Sequence, residues 1–195
     1  IYLYGHSMGG GIAAAVAARA PEMFEKVILS SPMIRPLTGG VPWHVAKAIA
    51  KTSCKVGRNK KYVVGQKPYK EPGKFEESCS LSRPRFEYYE EKRTKEAHYH
   101  LNAPSYGWLG NAMRLNRYLE KTGWKKIKAP VMLFSAGKDN LVSNTAQERF
   151  VRKLNKNRPG SAELVKFPES KHEIFNAENT IAEEYWKKVF VFFES

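Results

Sequence analysis

The chain predicts an α/β fold: a parallel sheet flanked by helices, with a mostly helical insertion between two of its strands. Three observations lead there. Through residues 1–32 and 129–195, short apolar runs alternate with amphipathic ones, and β–α alternation with short links lays strands parallel beneath covering helices. Between residues 33 and 128 that rhythm stops and strand candidates become scarce. The chain also opens on "IYLYGHSMGGGIAAAVAARAPE", a strand that turns into a helix through glycines set around one serine.

Each element has its own signal. Ile1–Tyr4 reads as a short buried strand, and Ile12–Ala20 as an apolar helix stopped by Pro21. A strand that becomes a helix within a few residues bends sharply, so the apex residue is strained and its neighbours two positions away must be small. Gly5 and Gly9 meet that need around Ser7, while Gly10 and Gly11 let the helix approach the sheet. This is the Gly-x-Ser-x-Gly elbow, which lifts a serine hydroxyl above the strand ends at a helix N-terminus. A glycine-rich turn without chemistry is the plainer reading of the same residues. A phosphate-cradling loop fits less well, because the Lys-Ser/Thr ending of such loops is absent.

Lys26–Ser30 ("KVILS") is the next strand, followed by Ser31-Pro32. In the insertion, Val41–Lys51, Arg83–Glu96 and Tyr106–Thr122 read as helices. The rhythm resumes with a strand at Ala129–Ser135, ending in the turn residues Gly137, Asp139 and Asn140. A helix over Asn144–Asn155, a strand over Ala162–Phe167 and a helix over Thr180–Glu194 complete the chain. The expected organisation is therefore a core from residues 1–32 and 129–195, with residues 33–128 as a basic helical cap over the C-terminal edge of the strands, where open α/β sheets bind ligands.

Charge marks the same boundary. Of the net +14, residues 33–128 carry 21 Lys or Arg against 8 Glu, a net of +13, and the rest of the chain carries 12 basic against 11 acidic residues. A patch of this kind raises the question of nucleic acid. No nucleic-acid-binding module is recognisable, and only 12 of the 24 aromatics lie in the basic half, too few to form a stacking platform there. No nucleic acid is expected. No apolar run approaches the roughly 18 residues of a membrane span. Cys54 and Cys79 fit no metal-ligand spacing, so no metal is expected, and two lone thiols point to a reducing compartment, hence the cytoplasm.

Ser7 needs a base to take its proton and a third group to orient that base. Of five histidines, His6 lies inside the elbow, where it packs under the turn, and His44, His98 and His100 lie in the insertion, in surface or lid positions. Only His172, in "FPESKHEIFN", follows a strand of the main sheet; taken alone it reads as an exposed loop histidine. Asp139 is the one aspartate in a chain with 18 glutamates, and it stands just past "PVMLFSAG". By itself it is good turn chemistry. The order Ser7, Asp139, His172 is the nucleophile–acid–base order of the hydrolases built on such sheets.

Those residues resemble a known family. "GHSMGGG", "VILSSPM", "SAGKDNLVSN" and "KHEIFN" are similar to the monoacylglycerol-lipase and lysophospholipase branch of the α/β-hydrolases, and "LSRPRFEYYEE" and "NAPSYGWL" resemble bacterial lysophospholipase L2. The resemblance runs over essentially the whole chain. It implies the α/β-hydrolase fold, Ser7 as nucleophile, Asp139 as acid, His172 as base, and the Met8 N–H as one oxyanion donor. It also implies a serine ester hydrolase acting through an acyl-enzyme on single-chain lipid esters, a lysophospholipid or a monoacylglycerol, with no metal or organic cofactor. Members carry about four strands and two helices before the elbow, with a His-Gly loop that supplies the second oxyanion donor. The expectation is thus that this is the C-terminal part of a longer protein, inactive by itself and exposing the elbow strand as an edge. A peripheral contact of the basic cap with the anionic inner face of a membrane is the expected further partner. Two other readings stay open: a proline-iminopeptidase-like peptidase with the same triad, whose need for an acid to hold a free amine sits poorly with an acid-poor cap, and a non-catalytic basic protein binding membrane or nucleic acid.

Overall fold

The computed structural model describes residues 1–195. Four strands, β1 (Tyr2–His6), β2 (Lys26–Ser30), β3 (Val131–Ala136) and β4 (Ala162–Phe167), form one sheet in the order β1-β2-β3-β4, and every pairing is parallel. The sheet has β1 at one edge and β4 at the other. β3 has no exposed residue, as expected of a strand with neighbours on both sides and helices on both faces.

Helices α1 (Ser7–Arg19) and α5 (Asn144–Asn157) cover one face of the sheet, where Ala14, Ala17, Phe150 and Leu154 meet Val27, Leu29, Val131 and Leu133. α6 (Asn179–Glu194) covers the other face, packing Tyr185 and Val189 on Ile28, Met132 and Phe134. Alternate residues of β2 and β3 thus serve the two layers, as the period of two along a strand requires. On the α6 side, the Tyr4 and Tyr185 hydroxyls share a hydrogen bond of 2.7 Å, and Tyr2 stacks on Phe193.

The connection from β2 to β3 holds α2 (Trp43–Lys55), α3 (Arg83–Lys95) and α4 (Tyr106–Lys121), joined by loops and single turns. Ala46 and Ala50 of α2 pack on Leu109 and Met113 of α4, and α4 in turn lies against α1. In α3 the buried Glu90 accepts hydrogen bonds from Arg93 at 3.2 Å and from the Gly73 N–H at 2.7 Å. Arg93 also donates to the carbonyls of Tyr99 and Leu101, so one buried ion pair ties two long loops to the helix.

Predicted and observed boundaries agree within two residues except at the end of α2, which runs on to Lys55 rather than Lys51, and at the start of the first helix. α1 begins at Ser7, not Ile12, so Gly9, Gly10 and Gly11 are helical rather than part of a turn. Their flexibility is overridden by fit. A Cβ on Gly10 would stand 2.9 Å from the Gly5 oxygen and from Pro32 Cβ, and one on Gly11 would stand 2.7 Å from the Met33 oxygen. The close approach of α1 to the segment after β2 therefore requires those two glycines.

Candidate active site

Ser7 sits where β1 becomes α1 with no intervening residue, and it alone absorbs the change of direction. Its φ is 53°, in the left-handed region that costs a residue with a side chain about 1–3 kcal/mol. The bend is held on two sides. The Ser7 carbonyl accepts the Met33 N–H at 2.8 Å, and a Cβ on Gly5 would come within 2.7 Å of Ala13 Cβ and the Gly9 oxygen. Gly5 is thus required by contact. Gly9 is not: nothing lies within 4 Å of a Cβ built there, so the predicted need for a small residue at that position does not come from packing within this chain.

The three residues singled out from the sequence meet at the C-terminal ends of β1, β3 and β4, although up to 165 residues separate them. His172 Nδ1 donates to Asp139 Oδ2 at 2.7 Å, and the Ser7 hydroxyl donates to His172 Nε2 at 2.8 Å. The tautomer follows from chemistry: an ionised carboxylate only accepts, so Nδ1 carries the proton and Nε2 is left with a lone pair facing Ser7. The His172 side chain is 3% exposed and that of Asp139 0%. The other carboxylate oxygen, Asp139 Oδ1, accepts the backbone N–H groups of Leu141 at 2.9 Å and Val142 at 3.1 Å. The turn chemistry that explains an aspartate in this loop therefore also fixes the carboxylate that orients His172.

The acid and base loops are built against each other. Gly137 N donates to the Phe167 carbonyl at 2.8 Å and Lys138 N to that of Ser170 at 2.9 Å. A Cβ on Gly137 would lie 2.1 Å from the Pro168 oxygen, the tightest glycine in the molecule. On the far side of His172, the His6 ring stands 4.8 Å away, edge-on to Phe175 and hydrogen-bonded through Nδ1 to the Ser30 carbonyl. Burial, then the nearby His172, pushes the His6 pKa down to about 4, so it stays neutral beside His172 at ordinary pH. His44, His98 and His100 are exposed on the insertion and none joins this group.

Met8 is the second residue of α1, so its N–H has no partner one turn earlier in the helix, and no side chain caps that end. A free N–H and the positive end of the helix dipole beside a serine hydroxyl can hold an oxyanion. Beyond the Met33 bond to Ser7, the insertion touches residues next to both the nucleophile and the base. Trp108 of α4 donates its indole N–H to Met8 Sδ, and the Cys79 carbonyl accepts the N–H of Glu173, next to His172. Sequence reasoning passed over Trp108 and also Ser31, whose φ of 40° is the second left-handed residue with a side chain. Ser31 N bonds the Phe134 carbonyl at 2.8 Å, pinning the end of β2 to β3. Its only signal was position, a serine between a strand and a proline. Cys54 and Cys79 are both free, and no cluster of three or more His, Cys, Asp or Glu side chains is placed to hold a metal ion.

A four-strand parallel sheet with a serine at a left-handed strand-to-helix apex, hydrogen-bonded to a histidine from a later strand end, defines the α/β-hydrolases. Within that class the chain belongs to the family described as serine aminopeptidase, S33, which matches residues 1–179. No curated protein matches it in sequence. Among solved structures it is similar to the monoacylglycerol lipase of Paleococcus ferrophilus (22% identity, TM-score 0.70), covering 96% of this chain and 65% of that one. It is similar also to a soluble variant of the Saccharomyces cerevisiae monoglyceride lipase in complex with a substrate analogue (18%, TM-score 0.71, 96% of this chain and 62% of that one). A thermostable carboxyl esterase of Bacillus coagulans in complex with glycerol gives 17%, a TM-score of 0.70, and 99% and 64% coverage. The chain thus spans less than two thirds of the length of each.

Proposed function

We propose that the protein carrying this chain is a serine ester hydrolase that cleaves single-chain lipid esters, a lysophospholipid or a monoacylglycerol, through an acyl-enzyme. The observation that supports it best is the unbroken hydrogen-bonded series from Ser7 through His172 to Asp139. In this reading His172 Nε2 takes the Ser7 proton as Oγ attacks the ester carbonyl, and Asp139 holds the imidazole and balances the imidazolium that forms. The Met8 N–H holds the oxyanion. His172 then gives its proton to the leaving alcohol, and a water molecule activated by the same nitrogen releases the fatty acid and restores Ser7. Residues 33–128 act as a cap that shapes the lipid site. The lipid substrate rests on the resemblance, and the monoacylglycerol lipases among the structural neighbours agree with it.

The family's description raises a peptidase reading. A free amine at the site would need an acidic partner. Glu173, the acid next to His172 in the chain, is already bonded to Asn176 at 2.9 Å, which favours the ester. The deciding experiment is fluorophosphonate labelling of the complete protein, followed by turnover of monoacylglycerol, lysophosphatidylcholine and aminoacyl-nitroanilide in parallel. Labelling lost in Ser7→Ala, with turnover confined to the two lipids, is the expected result. Turnover of the anilide alone would replace the ester reading, and an unlabelled wild type would end both.

A further inference from the structure

Trp108 stands at a junction that no other side chain of the insertion shares. Its indole N–H donates to Met8 Sδ at 3.2 Å, so it grips the residue that follows Ser7. Its ring packs on the cluster of Met33, Ala112 and Val142. Two members of that cluster hold the site by their backbones. Met33 N bonds the Ser7 carbonyl at 2.8 Å, and Val142 N bonds Asp139 Oδ1 at 3.1 Å. One half-buried tryptophan therefore bears on the nucleophile's backbone, on the residue offering the oxyanion N–H, and on the loop that presents the acid.

The other side of Trp108 belongs to the insertion. It also packs against Ala46, Ala50, Leu109 and Met113, the seam between α2 and α4. The first turn of α4 that carries it is fixed in place. Ser105 caps it by accepting the Trp108 N–H at 3.1 Å, and Gly107 N bonds the Asn59 carbonyl at 2.8 Å. A Cβ on Gly107 would stand 2.9 Å from that oxygen, so the loop after α2 is clamped to the start of α4. Any shift of the α2–α4 pair is thereby carried by Trp108 onto Met8, Met33 and Val142. The partner of the indole is not rigid: Met8 is 44% exposed, and a thioether on an unbranched side chain follows whatever holds it.

We propose that Trp108 is a positioning residue, through which the insertion sets the alignment of Ser7, the Met8 N–H and Asp139. This rests on the hydrolase reading of the site. Trp108 donates no group to the reaction itself. It fixes the backbone from which the reacting groups project, and a misplacement of about 1 Å can cost about 10²-fold in rate.

The test is the second-order rate at which a fluorophosphonate labels Ser7 in the complete protein, with its pH profile, set beside thermal stability. Trp108→Ala should slow labelling roughly 10- to 100-fold and displace the midpoint of the pH profile, because the loop presenting Asp139 to His172 is loosened. Trp43→Ala is the control. Trp43 packs on the same α2–α4 seam but belongs to neither the Met8 contact nor the Met33–Val142 cluster. It should lower the melting temperature comparably while leaving the labelling rate within about twofold. Trp108→Phe keeps a ring and removes only the N–H···S bond. It should fold and slow labelling about threefold to tenfold, the worth of one neutral hydrogen bond, and it decides the matter if Trp108→Ala does not fold. Equal slowing in Trp43→Ala and Trp108→Ala, in step with lost stability, overturns the proposal, as does a Trp108→Phe rate equal to wild type. A wild type that is not labelled at Ser7 at all overturns the hydrolase reading itself.

Discussion

Exchanging Asp139 for asparagine changes one atom, and the structure gives the consequence. The carboxylate works in two directions: Oδ1 accepts two backbone N–H groups, from Leu141 and Val142, and Oδ2 accepts His172 Nδ1. An asparagine has one oxygen and one NH2 to place in the same buried pocket. With the oxygen toward Leu141 and Val142 both donors stay satisfied, and the NH2 then faces His172 Nδ1. Two donors cannot share a hydrogen bond, so the imidazole moves its proton to Nε2, where it points at Ser7 instead of accepting from it. The competent tautomer survives only if the amide flips, which strips two backbone donors of their acceptor at about 1–3 kcal/mol each. A total of about 2–6 kcal/mol, at about 1.4 kcal/mol per factor of ten, leaves the competent form at roughly one part in 30 to one part in 10⁴. Asp139→Asn in the complete protein should therefore lose between about 30-fold and 10⁴-fold in kcat for a p-nitrophenyl ester, with KM little changed. Its fold should be intact by circular dichroism. An Asp139→Asn enzyme within threefold of wild type would mean that Asp139 merely forms its turn, and that His172 is oriented by something else.

Glycine exchanges should separate two kinds of small residue. Gly137→Ala drives a methyl into the Pro168 carbonyl at 2.1 Å and should cost about 1–3 kcal/mol or more by denaturant unfolding, whereas Gly9→Ala meets nothing within 4 Å and should be neutral or slightly stabilising; the reverse order would show that the loops relax freely. His6, neutral in the folded state down to about pH 4 but with an ordinary value of 6.5 when unfolded, supplies stability that is complete above pH 6.5 and drains away as pH falls toward 4, up to about 3 kcal/mol in all. Denaturant midpoints of His6→Asn should therefore fall less steeply over that window than those of wild type, and parallel curves would exonerate His6. The nine Lys and Arg between residues 33 and 70 face no acid in that stretch and join no ion pair. The outward face of α2 sets exposed Val45 and Ile49 beside Lys47, Lys51 and Lys55, as in a helix that lies on anionic lipid. Sedimentation with anionic vesicles should exceed that with neutral ones and weaken with salt, and equal recovery on both would show that the basic helices do not dock on anionic membrane.

The sequence carried the fold and the three candidate residues because each had a local signature. Parallel strands are short apolar runs, and "KVILS", buried from Val27 onward, and "AELVKF", an edge strand with Glu163 and Lys166 exposed, took the predicted bounds unchanged. Ser7 was marked by the glycines that a sharp strand-to-helix bend requires, Asp139 by being the lone aspartate, and His172 by its place after a strand. The basic excess between residues 33 and 128 falls on the helical connection between β2 and β3. No helix is long and apolar enough to cross a membrane, in accord with the hydropathy of the sequence.

What escaped was whatever depends on two distant segments touching. Gly9 and Gly137 look alike in sequence, one in a run of glycines and the other before a turn. Yet Gly9 faces open space, while Gly137 is pressed against a proline carbonyl 31 residues later. Trp108 reads as one more apolar residue on the buried face of an amphipathic helix, and only the fold sets its N–H on Met8, 100 residues earlier. Ser31 is left-handed where its N–H bonds Phe134 of β3, a strand that lies beyond a connection of about half the chain. Periodicity records which face of an element is buried, not what it is buried against. The residues that hold a site together are defined by the second quantity. The candidate reacting groups were therefore legible here, and the side chains that hold them in register were not.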